Sequence, residues 1–507
     1  MPLRAVFEDP TIASFAQRVE STRRLGEEIQ ISPLVPMKRT KAIPISFAQR
    51  RLWLLHHLEP GSTTYLNTER FRLLGLLDIK VLEQCFWEMI RRHEILRTTF
   101  EMLEGQPIQV IRETCHCSLP LIDLTALGQQ AQETVAQQLV KQEAEQPCNL
   151  EQGPLLRASL LRLQRQKHIL LVTQHHIISD GWSNAVLLRE MTTLYLAFTN
   201  GQTSPLAPLP IQYADYALWQ RQWLQGKVLH KHLQYWQRQL QGASPLELPT
   251  NVQHSVTSRH QGAQYNFTLP TALSTALTSL SRKEGVTLFM TLLCAFQIWL
   301  SRLTHQTNIV IGTDVANRTQ RETEQLIGFF VNLLVLRTDI GRDQCFQELL
   351  QKVRKSLLET YTYQGFPFEL IVEHSLLTRK KVQDPIIPVL FVLQNMQEQA
   401  VQIPDLTWEI LPPENIAARF DLALFLQEGP QGLSGSVVYR AALFERSNIA
   451  TWMRQFEVLL SSIVARPDAL IEELKISTNE EKEAKLAQQA SRAKRLRTIK
   501  VKEFEID

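Results

Sequence analysis

The chain has 507 residues, 44% of them hydrophobic, which predicts more than one buried core. Lys plus Arg number 54 and Asp plus Glu number 51, so no strongly basic field argues for a nucleic-acid partner. The six cysteines are sparse and irregular, which excludes a disulfide scaffold and favours a reduced cytoplasmic protein. The Cys115-His116-Cys117 cluster lacks a second ligand pair at zinc spacing, which predicts that no metal is bound.

The first elements in chain order form a small N-terminal unit. No signal peptide is predicted, because Arg4, Glu8 and Asp9 interrupt every apolar run. Asp9 is a suitable N-cap residue, and Pro10 is favoured at the first position of the helix that follows. A polar, proline-punctuated linker then covers residues 31–44.

The rest of the first half alternates between helical and strand patterns. Apolar spacing predicts helices at 46–58, 78–93 and 183–198. Strands are predicted at 68–75, 97–103, 155–163 and 168–174. The strand at 168–174 is apolar on both faces, which is typical of a central strand.

A proline-rich stretch at 203–210 opens a second half built in the same style. The patterns predict helices at 213–224, 270–283, 286–303 and 443–465, and strands at 263–268, 307–312, 331–338, 388–394, 419–427 and 432–440. The apolar run at 286–300 is shorter than the ~20 residues that cross a bilayer, so it predicts a buried helix and no membrane partner. Two α/β lobes of similar size are therefore expected.

The loop that follows the strand 168–174 reads HHIISDGWS at 175–183. Adjacent residues on a strand point to opposite faces, so one histidine faces a cleft, the other faces the core, and the two do not chelate a metal. Gly181 favours a backbone turn that a side chain would oppose. Taken alone, this spacing is equally consistent with a core histidine bonded to a backbone group.

The HHIISDGWS loop resembles the HHxxxDG signature of the condensation domains of nonribosomal peptide synthetases. Further stretches are similar to that family's motifs and follow in its order: SFAQRRLWLLHHL (46–58), RRHEILRTTF (91–100), YADYALW (213–219), IGFFVNLLVLR (327–337) and YQGFPFE (363–369). Because several matches in the right order carry far more weight than one, the chain is identified as a member of this family.

The resemblance implies a fold of two chloramphenicol-acetyltransferase-like lobes in a V-shaped pseudodimer, with the active site between them. It implies amide-bond formation, in which the amine of an acceptor aminoacyl thioester attacks a donor acyl or peptidyl thioester. The partners implied are donor and acceptor carrier domains and an adjacent adenylation domain or other synthetase subunits. The 4′-phosphopantetheine cofactor would belong to the carriers, and none is bound in the chain itself.

The resemblance also assigns roles to individual residues. His176 matches the catalytic histidine, acting as a general base or as a stabiliser of the tetrahedral intermediate, and these two roles stay open. His175, Asp180 and Gly181 match positions regarded as structural. Three further residues complete the expected site: Arg318 is expected to reach Asp180, and Asn332 and Ser183 are expected near the substrate.

The domain boundaries expected from the resemblance are a remnant of a preceding carrier domain at 1–25, a linker at 26–40, an N-terminal lobe at 41–210, a C-terminal lobe at 211–477 and a charged tail or linker at 478–507. The tail is locally basic, and its role stays open, as does whether the chain is excised or naturally split. The identities of the donor and acceptor residues are not revealed by the sequence. The loop resembles the type that joins two L-configured units.

Two other functions compete with peptide-bond formation. An acyl-CoA transferase with the same histidine loop would use a soluble thioester, but the other motifs fit a carrier-dependent enzyme better. A non-catalytic docking domain would recruit partners only, and such domains tend to lose the second histidine, which is present here as His176. Epimerisation is disfavoured because the loop reads DGWS, and heterocyclisation because an aspartate motif replaces the histidine loop in that family.

Overall fold

The structure, a computed structural model, describes residues 12–25, 33–39, 42–113, 118–250, 261–341, 343–374, 387–394, 401–412 and 416–477. These residues form two α/β lobes, each built on a six-stranded sheet. The predicted fold class is therefore confirmed. The Cys115-His116-Cys117 cluster and the charged tail lie outside the described residues.

The strands lie close to the predicted positions, and the structure adds five that were not predicted, β1, β4, β5, β12 and β13. In chain order they are β1 (Ile43–Pro44), β2 (Leu66–Gly75), β3 (Thr98–Leu103), β4 (Gln106–Ile111), β5 (Leu121–Asp123), β6 (Leu156–Gln164), β7 (Lys167–His175), β8 (Gly262–Thr268), β9 (Asn308–Val315), β10 (Asn332–Asp339), β11 (Val389–Gln394), β12 (Val401–Ile403), β13 (Leu406–Leu411), β14 (Leu422–Gly429) and β15 (Gly432–Arg440).

The α-helices likewise include every predicted one and four that were not predicted, α4, α7, α10 and α11. They are α1 (Ile12–Leu25), α2 (Phe47–Leu58), α3 (Ile79–Arg92), α4 (Gln129–Glu145), α5 (Gly181–Thr199), α6 (Tyr213–Trp223), α7 (Gly226–Leu240), α8 (Thr271–Lys283), α9 (Leu288–Thr304), α10 (Phe346–Thr362), α11 (Phe368–Glu373) and α12 (Arg446–Ala465). Side-chain caps fix several starts. Ser46 and Gln49 form a capping box at α2, and Asp78 accepts two backbone N–H groups at α3.

The first sheet has the strand order β12-β13-β2-β7-β6-β5. Strand β7 lies inside it, between β2 and β6, and its residues from Leu170 to His175 are all buried, as its apolar character on both faces predicts. His175 is the last residue of this central strand, and His176 follows it directly. A separate small sheet of β1, β4 and β3 lies in the same half of the chain.

The second sheet has the order β10-β9-β11-β14-β15-β8. Helix α9 packs as a buried element of this lobe, with residues Met290–Leu300 all inaccessible to solvent, in agreement with the buried helix predicted at 286–303. Within the described part of the chain, no single helix is long and apolar enough to cross a membrane. Helices α8 and α9 satisfy that length and composition only as a pair bent by 107°.

A strand pairing joins the two halves of the chain. Strand β13 pairs antiparallel with β2, with Leu406 opposite Gly75 and Leu411 opposite Arg70. Trp408 of β13 is 2% exposed and belongs to the apolar core of the first lobe. A segment of the second half therefore completes the sheet that carries the histidine loop. The lobe boundary expected at residue 210 stays a prediction, because the first sheet takes strands from both sides of it.

Candidate active site

Backbone hydrogen bonds from two neighbouring segments fix the start of the HHIISDGWS loop at the end of β7. The backbone N–H of His175 donates to the Leu155 carbonyl at 3.0 Å, and that of His176 donates to the Tyr65 carbonyl at 2.8 Å. A single 3-10 turn over His176–Ile178 follows, and Asp180 then caps helix α5 by accepting from the Ser183 N–H at 2.8 Å. The loop is thus fixed at both ends by backbone hydrogen bonds and a cap.

His175 points into the protein. Its side chain is 3% exposed, and its Nδ1 accepts the Ile177 backbone N–H at 3.1 Å. Burial lowers the pKa of His175 to about 3, and the nearby His56 and Arg419 add to the effect. Because an imidazole that accepts at Nδ1 must be unprotonated there, His175 stabilises the loop as a neutral ring and has no position from which to exchange protons with a substrate.

His176 is partly exposed and oriented differently. Its Nδ1 lies 3.1 Å from the Ser179 carbonyl oxygen, which can only accept, so Nδ1 carries the proton and Nε2 carries a lone pair. No described residue hydrogen-bonds Nε2. Burial lowers the pKa of His176 well below its usual value, and Arg419, His175 and Arg51 lower it further, although the Ser179 carbonyl acts in the opposite direction.

Asp180 and Arg318 form a buried ion pair. The Arg318 Nη2 lies 3.2 Å from Asp180 Oδ1, and the two side chains are only 2% and 1% exposed. Asp180 Oδ1 also accepts the Ser183 hydroxyl at 2.7 Å, and Oδ2 accepts the Phe330 backbone N–H at 2.9 Å. Arg318 is further held by the Leu326 carbonyl at 2.7 Å and lies over the Phe330 ring at 4.0 Å. We call Asp180, Ser183 and Arg318 the buried brace.

Two residues expected near the substrate have their polar atoms occupied by the protein itself. Ser183 is 0% exposed, and its hydroxyl is bonded within the buried brace and to Gly328. The side-chain nitrogen of Asn332 donates to the Gln364 and Phe366 carbonyls at 2.7 and 2.8 Å, and its side-chain oxygen accepts the Phe368 backbone N–H at 3.0 Å.

Gly181 does not have the backbone role that the sequence predicted for it. Its φ is not positive, and an added Cβ would meet no atom within 4 Å. The prediction that a side chain would oppose the backbone there is therefore wrong, because the extended conformation of Asp180 and the 3-10 turn make the bend.

The other motifs of the sequence converge on the same loop. Gln49 of α2 donates to the Ile177 carbonyl at 3.0 Å, and Ser46 is 2.9 Å from the Tyr213 hydroxyl. The Tyr213 hydroxyl donates to the Phe329 carbonyl at 2.5 Å. A Cβ on Gly328 would lie 2.0 Å from the Tyr213 ring, so only glycine fits this close approach.

Two arginines from different elements act electrostatically on His176, and neither was predicted from the sequence. They are Arg51 of α2 and Arg419 before β14; with His176 we call them the charged recess. Arg51 Nε is 3.7 Å from Oε1 of Glu369 in α11. Their only sequence signals were a charge within the α2 motif and a charge just before strand β14.

A family model described as "Condensation domain" matches residues 39–486 of this chain. One component of the linear gramicidin synthase of Brevibacillus parabrevis is 41% identical over 488 residues, which is 95% of this chain and 6% of that protein. Malpinin synthetase of Mortierella alpina is 38% identical over 481 residues, again 95% of this chain and 6% of that protein. The chain thus spans only a small fraction of the length of these relatives.

Solved structures show the same architecture. The X-domain from teicoplanin biosynthesis superposes with a TM-score of 0.80 at 26% identity, covering 88% of this chain and 100% of that one. The first condensation domain of the calcium-dependent antibiotic synthetase gives 0.71 at 18% identity, covering 87% and 100%, which supports the fold alone.

The two-lobed fold and the histidine loop held between its halves define a chloramphenicol-acetyltransferase-like protein. Within that class, the chain belongs to the condensation-domain family of nonribosomal peptide synthetases, whose members catalyse peptide-bond formation. Condensation domains work with carrier and adenylation domains inside multidomain synthetases. The predicted family is therefore confirmed.

Proposed function

We propose that this domain joins a donor acyl or peptidyl thioester to the amine of an acceptor aminoacyl thioester. Both thioesters would be presented on the 4′-phosphopantetheine arms of separate carrier domains, and His176 would be the catalytic residue. The observation that carries the proposal is the tautomer of His176. The Ser179 carbonyl holds the proton on Nδ1, which leaves the lone pair on Nε2 without a partner among the described residues.

The lowered pKa of His176 bears on the choice between its two expected roles. Hydrogen-bond donors or cations stabilise an oxyanion. Burial and two arginines disfavour the cationic form of His176, and its Nε2 has no proton to donate while Nδ1 donates to the Ser179 carbonyl. A weak base still suffices for the proton that leaves the tetrahedral intermediate, because the attacking nitrogen becomes strongly acidic once it has bonded to the carbonyl carbon. This supports His176 as a proton acceptor at that stage.

The remaining residues of the expected site support this role without touching the reacting atoms. His175 and the buried brace hold the loop, and Asn332 holds the 364–368 segment against β10. We propose residues 1–25 as the remnant of a preceding carrier domain, 26–40 as the linker to the condensation domain and 478–507 as a charged tail or linker. Helix α1 at Ile12–Leu25 is compatible with that assignment.

The test uses separate carriers loaded with a panel of L-configured acyl-aminoacyl donors and aminoacyl acceptors. Intact-mass spectrometry then records transfer of the donor mass to the acceptor carrier. His176→Ala should lower the rate by about 10²–10⁴-fold, the contribution usual for a general acid or base. His305→Asn is the matched control, since His305 caps α9 in the left-handed conformation that asparagine tolerates, and it should retain the parent's rate.

Folded His176→Ala protein that forms amide at close to the parent rate would contradict the catalytic assignment. Turnover with soluble aminoacyl-CoA equal to that with loaded carriers would instead favour the acyl-CoA transferase. Binding of loaded carriers without any turnover of the parent would favour a docking domain, a possibility to which the likeness to the X-domain gives weight, because an X-domain has been seen in complex with the protein OxyB.

A further inference from the structure

The tautomer of His176 depends on the conformation of the short turn that carries it. The chain makes a single 3-10 turn over His176–Ile178, and the backbone hydrogen bond that closes it, from the Ser179 N–H to the His176 carbonyl, is 3.2 Å long. That length is at the upper end of the usual range. The Ser179 carbonyl, which follows the turn, accepts the proton of His176 Nδ1 at 3.1 Å. A group that fixes the turn therefore also fixes which imidazole nitrogen keeps a lone pair.

A side chain from a distant part of the chain supports this turn. The side-chain nitrogen of Gln49 in α2 donates to the Ile177 carbonyl at 3.0 Å, although the two residues are 128 positions apart. Both residues are fully buried. A buried carbonyl without a partner is unfavourable, so this hydrogen bond stabilises the observed turn relative to other conformations of the same residues.

A second hydrogen bond sets the orientation of the Gln49 amide. Its side-chain oxygen accepts the Ser46 backbone N–H at 3.0 Å, and the Ser46 hydroxyl accepts the Gln49 backbone N–H at 3.1 Å, which completes the capping box of α2. Because a backbone N–H can only donate, the amide oxygen faces Ser46 and the NH2 group faces Ile177. A flipped amide would place an oxygen against the Ile177 carbonyl.

Helix α6 in turn fixes the start of α2. The Phe47 backbone N–H donates to the side-chain oxygen of Gln220 at 3.1 Å, and Arg221 donates to the Ile45 carbonyl through two nitrogens, at 3.1 and 2.9 Å. The Arg221 guanidinium also lies 4.5 Å from the centre of the Phe47 ring. These contacts leave the Gln49 amide little freedom, so it acts on the loop as a fixed donor.

Gln49 and the buried brace hold different parts of the loop. The brace bonds the loop at Asp180 and Ser183, where α5 begins, whereas Gln49 bonds it at Ile177, the residue next to His176. The Ser179 side chain has a separate support, because its hydroxyl donates to Asn184 Oδ1 at 3.2 Å. Since Gln49 is fully buried, it does not touch a substrate, and it influences the reaction only through the loop.

We propose that Gln49 is a positioning residue for amide formation. Its amide holds the 3-10 turn so that the Ser179 carbonyl keeps the proton on His176 Nδ1, and His176 Nε2 keeps the lone pair that accepts the proton of the substrate. Without this donor the turn relaxes, Nδ1 loses its acceptor, and the tautomer with its proton on Nε2 competes. The inference rests on the proposed function, and it predicts that kcat, but not KM, depends on a hydrogen-bond donor at position 49.

The test variant is Gln49→Glu, which keeps the shape of the side chain and adds an ionisable group. As a carboxylate it still accepts the Ser46 N–H, but it turns a negatively charged oxygen toward the Ile177 carbonyl. As a carboxylic acid it donates an O–H to that carbonyl and restores the hydrogen bond. Burial raises the pKa of a glutamate above its ordinary value of about 4.3, so the acid form returns as the pH falls below neutrality.

With loaded carriers at pH 8, Gln49→Glu should lower kcat by about tenfold to 10²-fold, the effect usual for a displaced reacting group, and should leave KM within about twofold of the parent's. The ratio of the variant's kcat to the parent's should then rise toward one as the pH is lowered from 8 to 6, because the protonated side chain donates again. Taking the ratio removes the loss of neutral amine at low pH, which both proteins share.

Two further variants separate a loss of positioning from a general effect of the substitution. Gln132→Glu is the matched control, because the Gln132 side-chain nitrogen also donates to backbone carbonyls, those of Leu124 and Leu163 at 3.0 and 2.9 Å, but does so beside the edge strand β5. Its kcat should equal the parent's at every pH. Gln49→Met keeps the length of the side chain without a donor, so its kcat should be low throughout and should not recover at low pH.

A kcat ratio for Gln49→Glu that stays constant between pH 8 and pH 6 would overturn the inference, and so would the same pH-dependent recovery in Gln132→Glu. Should Gln49→Glu not fold, Gln49→Met decides the matter, since folded Gln49→Met protein with the parent's kcat also contradicts the inference. These outcomes are distinct from failure of the proposed function, in which the parent itself forms no amide. Circular-dichroism melting of each variant, run on the protein used for kinetics, ensures that only folded protein is compared.

Discussion

The buried brace and the charged recess meet at one loop, where Asp180 and His176 are four residues apart, and they are built in opposite ways. In the brace, each Asp180 oxygen has a protein partner, and the side chain of Arg318 meets carbonyls, a hydroxyl and a carboxylate. In the recess, His176 Nε2 has no hydrogen-bond partner among the described residues. The loop thus carries a carboxylate and a hydroxyl that are fully hydrogen-bonded, at Asp180 and Ser183, and a ring nitrogen that is not, at His176.

The difference follows from the free energy of burying polar groups. A buried group with all its partners stabilises one arrangement, whereas a buried group without a partner costs about 1–3 kcal/mol and is kept where something else uses it. We therefore interpret the brace as the structural part of the motif and the recess as its chemical part. Measuring stability and turnover on the same variants separates the two.

The largest effect on stability is expected from breaking the buried brace. Asp180→Ala and Arg318→Ala should each lower the free energy of unfolding by about 3–5 kcal/mol, because each leaves an uncompensated charge in the interior. Urea unfolding of the single and double variants measures this. The loss in free energy of unfolding of the double variant should be well below the sum of the two single losses, because the second substitution removes a charge that has already lost its partner.

Additive losses in that cycle would show that the two side chains stabilise the fold independently. A folded Asp180→Ala protein with the parent's stability and no turnover would assign Asp180 a direct part in the chemistry instead.

A smaller effect is expected at Asn332, which the family resemblance places near the substrate. Asn332→Ala leaves two carbonyls and the Phe368 N–H without their partner, so the free energy of unfolding should fall by about 1–3 kcal/mol. Asn332→Asp is the isosteric control. It keeps an acceptor for the N–H but faces two carbonyl oxygens with negative charge, and it should be at least as destabilising. Unchanged stability with reduced turnover in both variants would favour a substrate contact.

The smallest effect is a change in acid sensitivity at His175. The unfolded ring protonates near its ordinary pKa of about 6.5, but the folded ring does so only near 3, so the unfolded state binds more protons between these values. Stability is therefore lost as the pH falls through this window. His175→Asn keeps an acceptor for the Ile177 N–H and does not titrate.

Between pH 7 and pH 5, the parent should lose about 2 kcal/mol more than His175→Asn does, which denaturant melts at the two pH values can measure. An identical loss in both proteins would mean that His175 is not a buried neutral ring.

The sequence predicted the structure well where neighbouring residues in the chain determine it. Strand β7 and helices α3, α5 and α9 follow from apolar patterns, and the histidine loop follows from its motif. The pairing of β13 with β2 could not be predicted, because the two strands are far apart in sequence and neither pattern specifies its partner.

The charged recess was missed for the same physical reason. Arg51 and Arg419 stand in separate segments, and only the folded chain brings their charges near His176. Asn332 and Ser183 were placed near the substrate by resemblance, but which hydrogen bonds occupy their polar atoms depends on packing that no single motif shows.

The most direct test of the division between brace and recess is a paired measurement on His176→Ala and Asp180→Asn. For each, the free energy of unfolding and the rate of amide formation are determined on the same preparation. We expect His176→Ala to keep the parent's stability within about 1 kcal/mol and to lose about 10²-fold or more in rate, because only a proton acceptor is removed. Asp180→Asn should lose several kcal/mol of stability. A stable but inactive Asp180→Asn beside an active His176→Ala would contradict the account.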